Sequence, residues 1–132
     1  MVSPEKIEEL VEEASQVQEK AYAPYSNFKV GAALLGKSGA IFTGCNVENA
    51  SYGMTMCAER NAVAHAVASG EREFSALAIV TDALKPTPPC GACRQVLVEF
   101  SPDMDVILVT TQGQRKTFSL KDLLPYLFEF KK

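Results

Sequence analysis

The chain has 132 residues, 47% of them hydrophobic, enough for one domain over 1–132 with a core of its own. Its 13 basic and 16 acidic side chains leave a net charge of -3, and the lysines and arginines are scattered, so a nucleic-acid partner is excluded as an expectation. The start of the chain is acidic with no apolar signal core, and no uncharged apolar run is long enough to cross a bilayer; the expected protein is cytoplasmic, with no membrane partner. In a reducing compartment its 4 cysteines point to metal ligands or buried thiols, not to a disulfide framework.

Residues 3 to 21 read as a helix. Ser3 can cap it, Pro4 suits its first position, and Ile7, Leu10, Val11, Ala14 and Val17 form one apolar stripe. Residues 21–27 break the period. Phe28 to Leu35 and Ala40 to Val47 then read as two strands about a turn at Gly36 to Gly39, an antiparallel hairpin. Just beyond it, Asn46 and Glu48 alternate to the same side of an extended chain, where both can hydrogen-bond a hydroxyl-rich ligand or simply close a turn. A carboxylate there accepts from sugar hydroxyls and repels phosphate, which favours a nucleoside over a nucleotide.

Cys57 to Ser69 reads as a central helix ended by Gly70, with enough small apolar residues (Ala58, Ala62, Val63, Ala64, Ala66, Val67, Ala68) to be buried on most sides. His65, more than two turns beyond Cys57, reads as a packing or surface residue and not as a ligand. Ala76 to Thr81 fits a buried strand, Asp82 to Pro89 a proline-bearing loop, and Cys90 to Phe100 a helix stopped by Ser101-Pro102. Asp105 to Thr111 and Arg115 to Phe118 are two further strands, and Ser119-Leu120-Lys121-Asp122 matches a capping-box start for a short last helix interrupted by Pro125. Strands alternating with helices after an opening hairpin predict an α/β fold: a mixed five-stranded sheet with helices on both faces, a three-layer α/β/α sandwich.

The chemistry gathers in Cys57-Ala58-Glu59-Arg60 and Pro89-Cys90-Gly91-Ala92-Cys93. Cys90 and Cys93, at i and i+3, share one face of a starting helix, and Cys57 offers a third thiol. Structural zinc sites close with four protein ligands, whereas catalytic ones keep three and leave a position for water; three is what this pattern presents. On a helix Glu59 points about 200° away from Cys57 and reads as a proton carrier beside the metal. Arg60, at i+3 from Cys57, can face the thiolates and offset their charge. Two helix starts at the metal add amides and positive dipole ends. Two other readings stay open: a closed zinc module with Cys45 as fourth ligand, and a thiol oxidoreductase built on Cys90-Gly91-Ala92-Cys93.

The pairing of Cys57-Ala58-Glu59 with Pro89-Cys90-Gly91-Ala92-Cys93 resembles the zinc deaminase signature. Ala23-Pro24-Tyr25-Ser26-Asn27-Phe28, Val30-Gly31-Ala32-Ala33, Asn46-Val47-Glu48-Asn49 and Cys57-Ala58-Glu59-Arg60 together are similar to the small homotetrameric cytidine deaminases of pyrimidine salvage, over about Tyr22 to Phe128. The resemblance implies the cytidine deaminase fold, one zinc per subunit on Cys57, Cys90 and Cys93, Glu59 as the proton shuttle, and a free nucleoside as substrate. It also implies that Phe28 stacks on the pyrimidine, that Asn46 and Glu48 hold the ribose with Ala58 nearby, and that Ala50, Tyr52 and Phe128 reach a neighbouring subunit's site. The tail Glu129-Phe130-Lys131-Lys132 departs from the family's longer glycine- and proline-containing end. Many relatives carry serine or threonine where Pro88 stands, a position at which a backbone carbonyl would serve equally.

Overall fold

The structure is a computed structural model that describes residues 2–128 and 130; the tail residues Glu129, Lys131 and Lys132 lie outside it. The first helix, α1, spans Pro4–Gln18. Ser3 accepts from the Lys6 N–H at 3.2 Å and Pro4 opens the first turn, so the start is as the sequence predicts. The end is not. The helix stops at Gln18 instead of residue 21, and Gln18, not Val17, turns fully inward. Burial of this amide is tolerated because it donates to the Lys29 carbonyl at 3.0 Å and to the Asp82 carboxylate at 3.1 Å.

Strands β1 (Val30–Gly36) and β2 (Ile41–Cys45) form the antiparallel hairpin. Both are shorter than their apolar pattern. Asn27 adopts φ 58, and the Phe28 and Lys29 carbonyls are taken by the side chains of Asn46 and Gln18, so ladder pairing starts only at Val30. Past Cys45 the chain leaves the sheet, and Val47 instead makes isolated bridges to Tyr22 and Met56.

A helix α2 (Ala58–Ala68), strand β3 (Phe74–Thr81), helix α3 (Gly91–Val98), strands β4 (Asp105–Thr110) and β5 (Arg115–Ser119) and a short α4 (Leu120–Leu123) complete the order. The sheet runs β2-β1-β3-β4-β5, with β3 and β4 parallel and the other neighbours antiparallel, the mixed five-stranded sheet predicted. Alternation along the strands builds a core on each face. Ala33, Leu35, Ala76, Ala78, Val80, Ile107 and Val109 meet Leu10 and Ala14 of α1 on one side. Ala32, Leu34, Leu77, Ile79, Val106 and Leu108 meet α2, α3 and α4 on the other. Each large side chain buried here contributes on the order of 1.5–3 kcal/mol.

Two glycines set how closely the helices approach. A Cβ on Gly31 would lie 2.0 Å from the Ala14 carbonyl of α1, and one on Gly44 would lie 2.4 Å from the Ala62 amide of α2. The second contact presses the first turns of α2 onto β2 and so positions the start of that helix.

Three expectations need correction. Helix α2 buries one face only: Ala58, Glu59, Ala62, Val63 and Ala66 are inside, while Ala64, His65 and Ala68 are exposed, since a single sheet face covers it. Helix α3 ends at Val98, before Phe100, although Phe100 still packs on the core. Ser119 sits at the N-cap of α4 but makes no side-chain capping bond, since one turn of helix offers little to cap; the Leu120 amide is held instead by the Met104 carbonyl at 2.9 Å. No helix among the described residues is long and apolar enough to cross a membrane.

Candidate active site

Cysteines occupy the N-cap positions of both helices that begin beside the end of β3: Cys57 for α2 and Cys90 for α3. Cys93 follows in the first turn of α3. The three Sγ atoms lie within 4.8 Å of one another, the convergence that the sequence predicts. Neither N-cap thiol makes a capping hydrogen bond, so both stay available to a ligand. Cys93 is buried, Cys57 half-buried and Cys90 exposed. Three soft donors with a side open to solvent fit zinc with one coordination position left over.

Cys45 is not part of the cluster, and its carbonyl accepts from the Asn61 amide at 2.8 Å, so a closed four-thiol module finds no fourth ligand there. Cys57 joins Cys90 and Cys93, which a two-thiol redox motif leaves unexplained.

The electrostatics follow from this packing. The hydrogen bond from Cys93 draws the Cys57 thiol down to about 5, with help from the Arg60 guanidinium. The same hydrogen bond, with burial, pushes Cys93 far above the usual thiol range. Arg60 Nη2 reaches Cys57 Sγ at 3.5 Å, as its spacing predicts, and that contact raises the guanidinium's own pKa. Its Nε is buried without a partner.

Glu59 lies in the first turn of α2, 6% exposed, and burial pushes its carboxyl up to about 7. It lines a cavity of about 210 Å³ together with Phe28, Val30, Asn46, Thr55, Cys57, Ala58, Ile79, Thr81, Thr87, Pro88 and Cys90. A larger hollow of about 510 Å³ opens at the other end of the sheet, between Phe74, Ser101 and Asp105, and contains none of the thiols.

The remaining predicted residues divide. Phe28, Asn46 and Ala58 line the thiol cavity. Asn46 spends its amide on the backbone: its carbonyl oxygen accepts from Val30 N–H at 2.9 Å and its NH2 donates to Phe28 C=O at 2.8 Å, an arrangement that fixes Phe28 at the rim. Glu48 stands outside the lining. Its carboxylate gathers the amides of Tyr25 and Ser26 at 2.9 and 3.1 Å and the Ser26 hydroxyl, and the hydroxyl bond foremost holds its pKa below the usual carboxylate range. Ala50, Tyr52 and Phe128 also lie outside the cavity; Tyr52 and Phe128 are 76% and 73% exposed. His65 donates its Nδ1–H to the Thr43 carbonyl at 3.1 Å and meets Phe42 edge-on, the packing role expected of it.

Sequence reasoning missed Arg94, whose side chain grips backbone next to Cys90, and Thr55 and Thr87 in the cavity wall. The run Cys93-Arg94 was open to inspection, but a guanidinium bound to carbonyls has no spacing signal.

Comparison with known proteins agrees with this geometry. The profile of the family described as the cytidine and deoxycytidylate deaminase zinc-binding region matches residues 4–110. The chain is 51% identical over 120 residues to a cytidine deaminase of Halalkalibacterium halodurans, spanning 90% of this chain and 91% of that protein. It is 49% identical over 123 residues to one of Sporosarcina psychrophila, spanning 92% and 90%. A crystal structure of cytidine deaminase from Burkholderia pseudomallei superposes with a TM-score of 0.89 at 52% identity, covering 92% of this chain and 98% of that one. Matched in sequence over most of its length and in fold, with its three thiols placed to hold the metal, the chain belongs to the zinc-binding cytidine and deoxycytidylate deaminase family.

Proposed function

We propose that the chain hydrolyses free cytidine and deoxycytidine to uridine and deoxyuridine with release of ammonia, as one domain acting in pyrimidine salvage in the cytoplasm. The observation that carries this reading is a buried carboxyl, Glu59, beside a three-thiol cluster in a cavity of nucleobase dimensions.

Cys57, Cys90 and Cys93 hold one zinc, which when bound supplies a water acidified toward neutral pH. Glu59 takes the proton that the attacking water releases and delivers it to ring N3 as the C4–O bond forms. It then takes the proton of the new C4 hydroxyl and carries it to the exocyclic amine, C4=O forms as the C4–N bond breaks, and ammonia leaves. A carboxyl at about 7 in the metal-free protein suits a group that must both accept and give a proton near neutrality. Arg60 offsets the charge of the thiolates.

Phe28 stacks on the pyrimidine from the rim, beside Ala58. Asn46 and Glu48 hold the ribose with the capacity their backbone contacts leave over: the amide has a second lone pair and a second hydrogen, and the carboxylate has a free lone pair. Ala50, Tyr52 and Phe128 complete a neighbouring subunit's cavity in a homotetramer. Their position outside this chain's own cavity supports that reading, as does the exposure of Tyr52, Met54 and Phe128.

The test is the ultraviolet time course of cytidine conversion, with wild type and Glu59→Ala side by side. Wild type converts; Glu59→Ala keeps its zinc and loses turnover by about 10⁴-fold, since one residue makes each proton transfer. Near-normal turnover by the variant overturns the shuttle. A solution mass of monomer only removes the roles of Ala50, Tyr52 and Phe128.

A further inference from the structure

The loop over residues 82–89 delivers one of the three thiols, yet little holds it. Pro86, Pro88 and Pro89 have no N–H to donate, and Cys90 is the exposed member of the cluster. Thr87 spends its hydroxyl within the loop, on the Lys85 carbonyl at 3.3 Å. Among the described residues, and apart from the contacts of the Cys90 thiol with Cys57 and Cys93, two hydrogen bonds tie 84–90 to the rest of the chain, and Arg94 makes both. Its backbone N–H donates to the Cys90 carbonyl at 3.0 Å, and its Nε donates to the Pro89 carbonyl at 2.8 Å. The first is the opening bond of α3 and survives any side-chain change. The second depends on the guanidinium.

The other side of the guanidinium is anchored as well. Nη1 donates to the Leu123 carbonyl at 2.7 Å, at the end of α4. Arg94 is half-buried, and both of its side-chain partners are carbonyls, not carboxylates. It spans from the peptide bond that enters Cys90 to the last helix of the described chain. A planar fork holds two such acceptors at a fixed angle, which a lysine ammonium cannot do.

We propose that Arg94 is a positioning residue for the metal centre: by bracing the Pro89 carbonyl against α4 it holds the Cys90 thiol in reach of Cys57 and Cys93, and so sets how tightly zinc is kept. The inference rests on the three-thiol zinc site proposed above. Groups that orient a metal ligand without touching the metal commonly govern its affinity, because the ligand's freedom to swing away is part of the dissociation path.

The experiment loads the full chain, as wild type, Arg94→Lys and Arg94→Met, with cobalt(II) in place of zinc. It records the thiolate-to-cobalt charge-transfer and d–d bands and measures zinc affinity by chelator competition. Arg94→Met keeps the aliphatic stem and loses both side-chain bonds; we expect its zinc affinity to fall about 10–100-fold and its d–d bands to shift. Arg94→Lys recovers part of the loss, since one ammonium reaches one carbonyl. Circular dichroism of the metal-free proteins checks folding, and if Arg94→Met does not fold, Arg94→Lys carries the comparison. Affinity within about twofold of wild type with superimposable bands overturns the inference, even where thermal stability drops, since that is what a merely structural strut would give. A wild type that binds cobalt without thiolate charge transfer overturns the three-thiol site instead.

Discussion

Four helices start at the two ends of the sheet, two at each. Helices α2 and α3 begin beside the carboxyl end of β3, with Cys57 and Cys90 at their N-caps and no side-chain capping bond at either. Helix α1 begins at the opposite end, near the larger hollow that Val2 lines with Phe74 and Asp105, and α4 begins there too, where Ser119 faces Asp105 across the ladder. Those starts carry serines. The local element is the same, a helix N-terminus with free amides. At one end its amides and dipole are left to support anionic sulfur, and at the other the Ser3 hydroxyl satisfies an amide of α1 itself, while Ser119 makes no such bond. Cavity size does not distinguish the ends in the direction chemistry would suggest: the hollow of about 510 Å³ lacks the thiols and the one of about 210 Å³ has them. What separates them is the direction of the parallel pair β3 and β4, whose carboxyl ends face the loops that carry the ligands.

Exchanging the two kinds of cap gives the largest effect. Cys57→Ser replaces a thiol by a good N-capping residue, so the metal-free protein keeps its fold while zinc affinity falls by about 100-fold or more. Cys45→Ser, outside the cluster, leaves metal content unchanged. Metal analysis after dialysis checks both, and retention of zinc by Cys57→Ser would break the contrast between the two ends.

The buried carboxyl at the thiol end gives the next. The Glu59 pKa is raised from 4.5 to about 7, so between those values the native metal-free protein holds a proton that the unfolded chain has released, and stability falls as pH rises through that window. In Glu59→Gln this component is absent. Denaturant titrations in chelator from pH 4 to 8 should show the variant exceeding wild type by up to about 3 kcal/mol above pH 7, with the gap closing toward pH 4. Two curves with a constant separation would show that burial does not govern this carboxyl.

The smallest effect tests the serine end. Ser3→Ala costs α1 its cap bond, about 1 kcal/mol, whereas Ser119→Ala removes no side-chain bond and leaves the unfolding midpoint in place. Equal losses would mean that α4 is capped in solution after all.

Much of the architecture was legible because it rests on near neighbours. Ser3-Pro4 ahead of a 3.6-residue stripe, the apolar run into Thr81, and Cys90 and Cys93 at i and i+3 are patterns within one window of chain, and propensity, capping and periodicity act within such a window. The motif residues Cys57, Glu59 and Arg60 in one short cluster and Cys90 and Cys93 in another were readable in the same way, and the pairing of the two clusters from its resemblance to the zinc deaminase signature. Tertiary structure alone decided the rest: that α1 ends where Gln18 reaches Asp82, that the Asn46 amide cross-links residues 28 and 30 before any ligand, and that Arg94 braces Pro89 on Leu123. Each is a polar group bound to backbone or side chain far along the chain, and a hydrogen bond between distant residues leaves no periodic mark on either segment. By itself, then, the sequence determined which residues could form the site and which elements would carry them. The three-dimensional packing decided which thiol is exposed, which carboxyl is dry enough to hold a proton at neutrality, and which arginine supports the ligand loop, because burial and long-range contact arise only when the sheet and its helices are assembled.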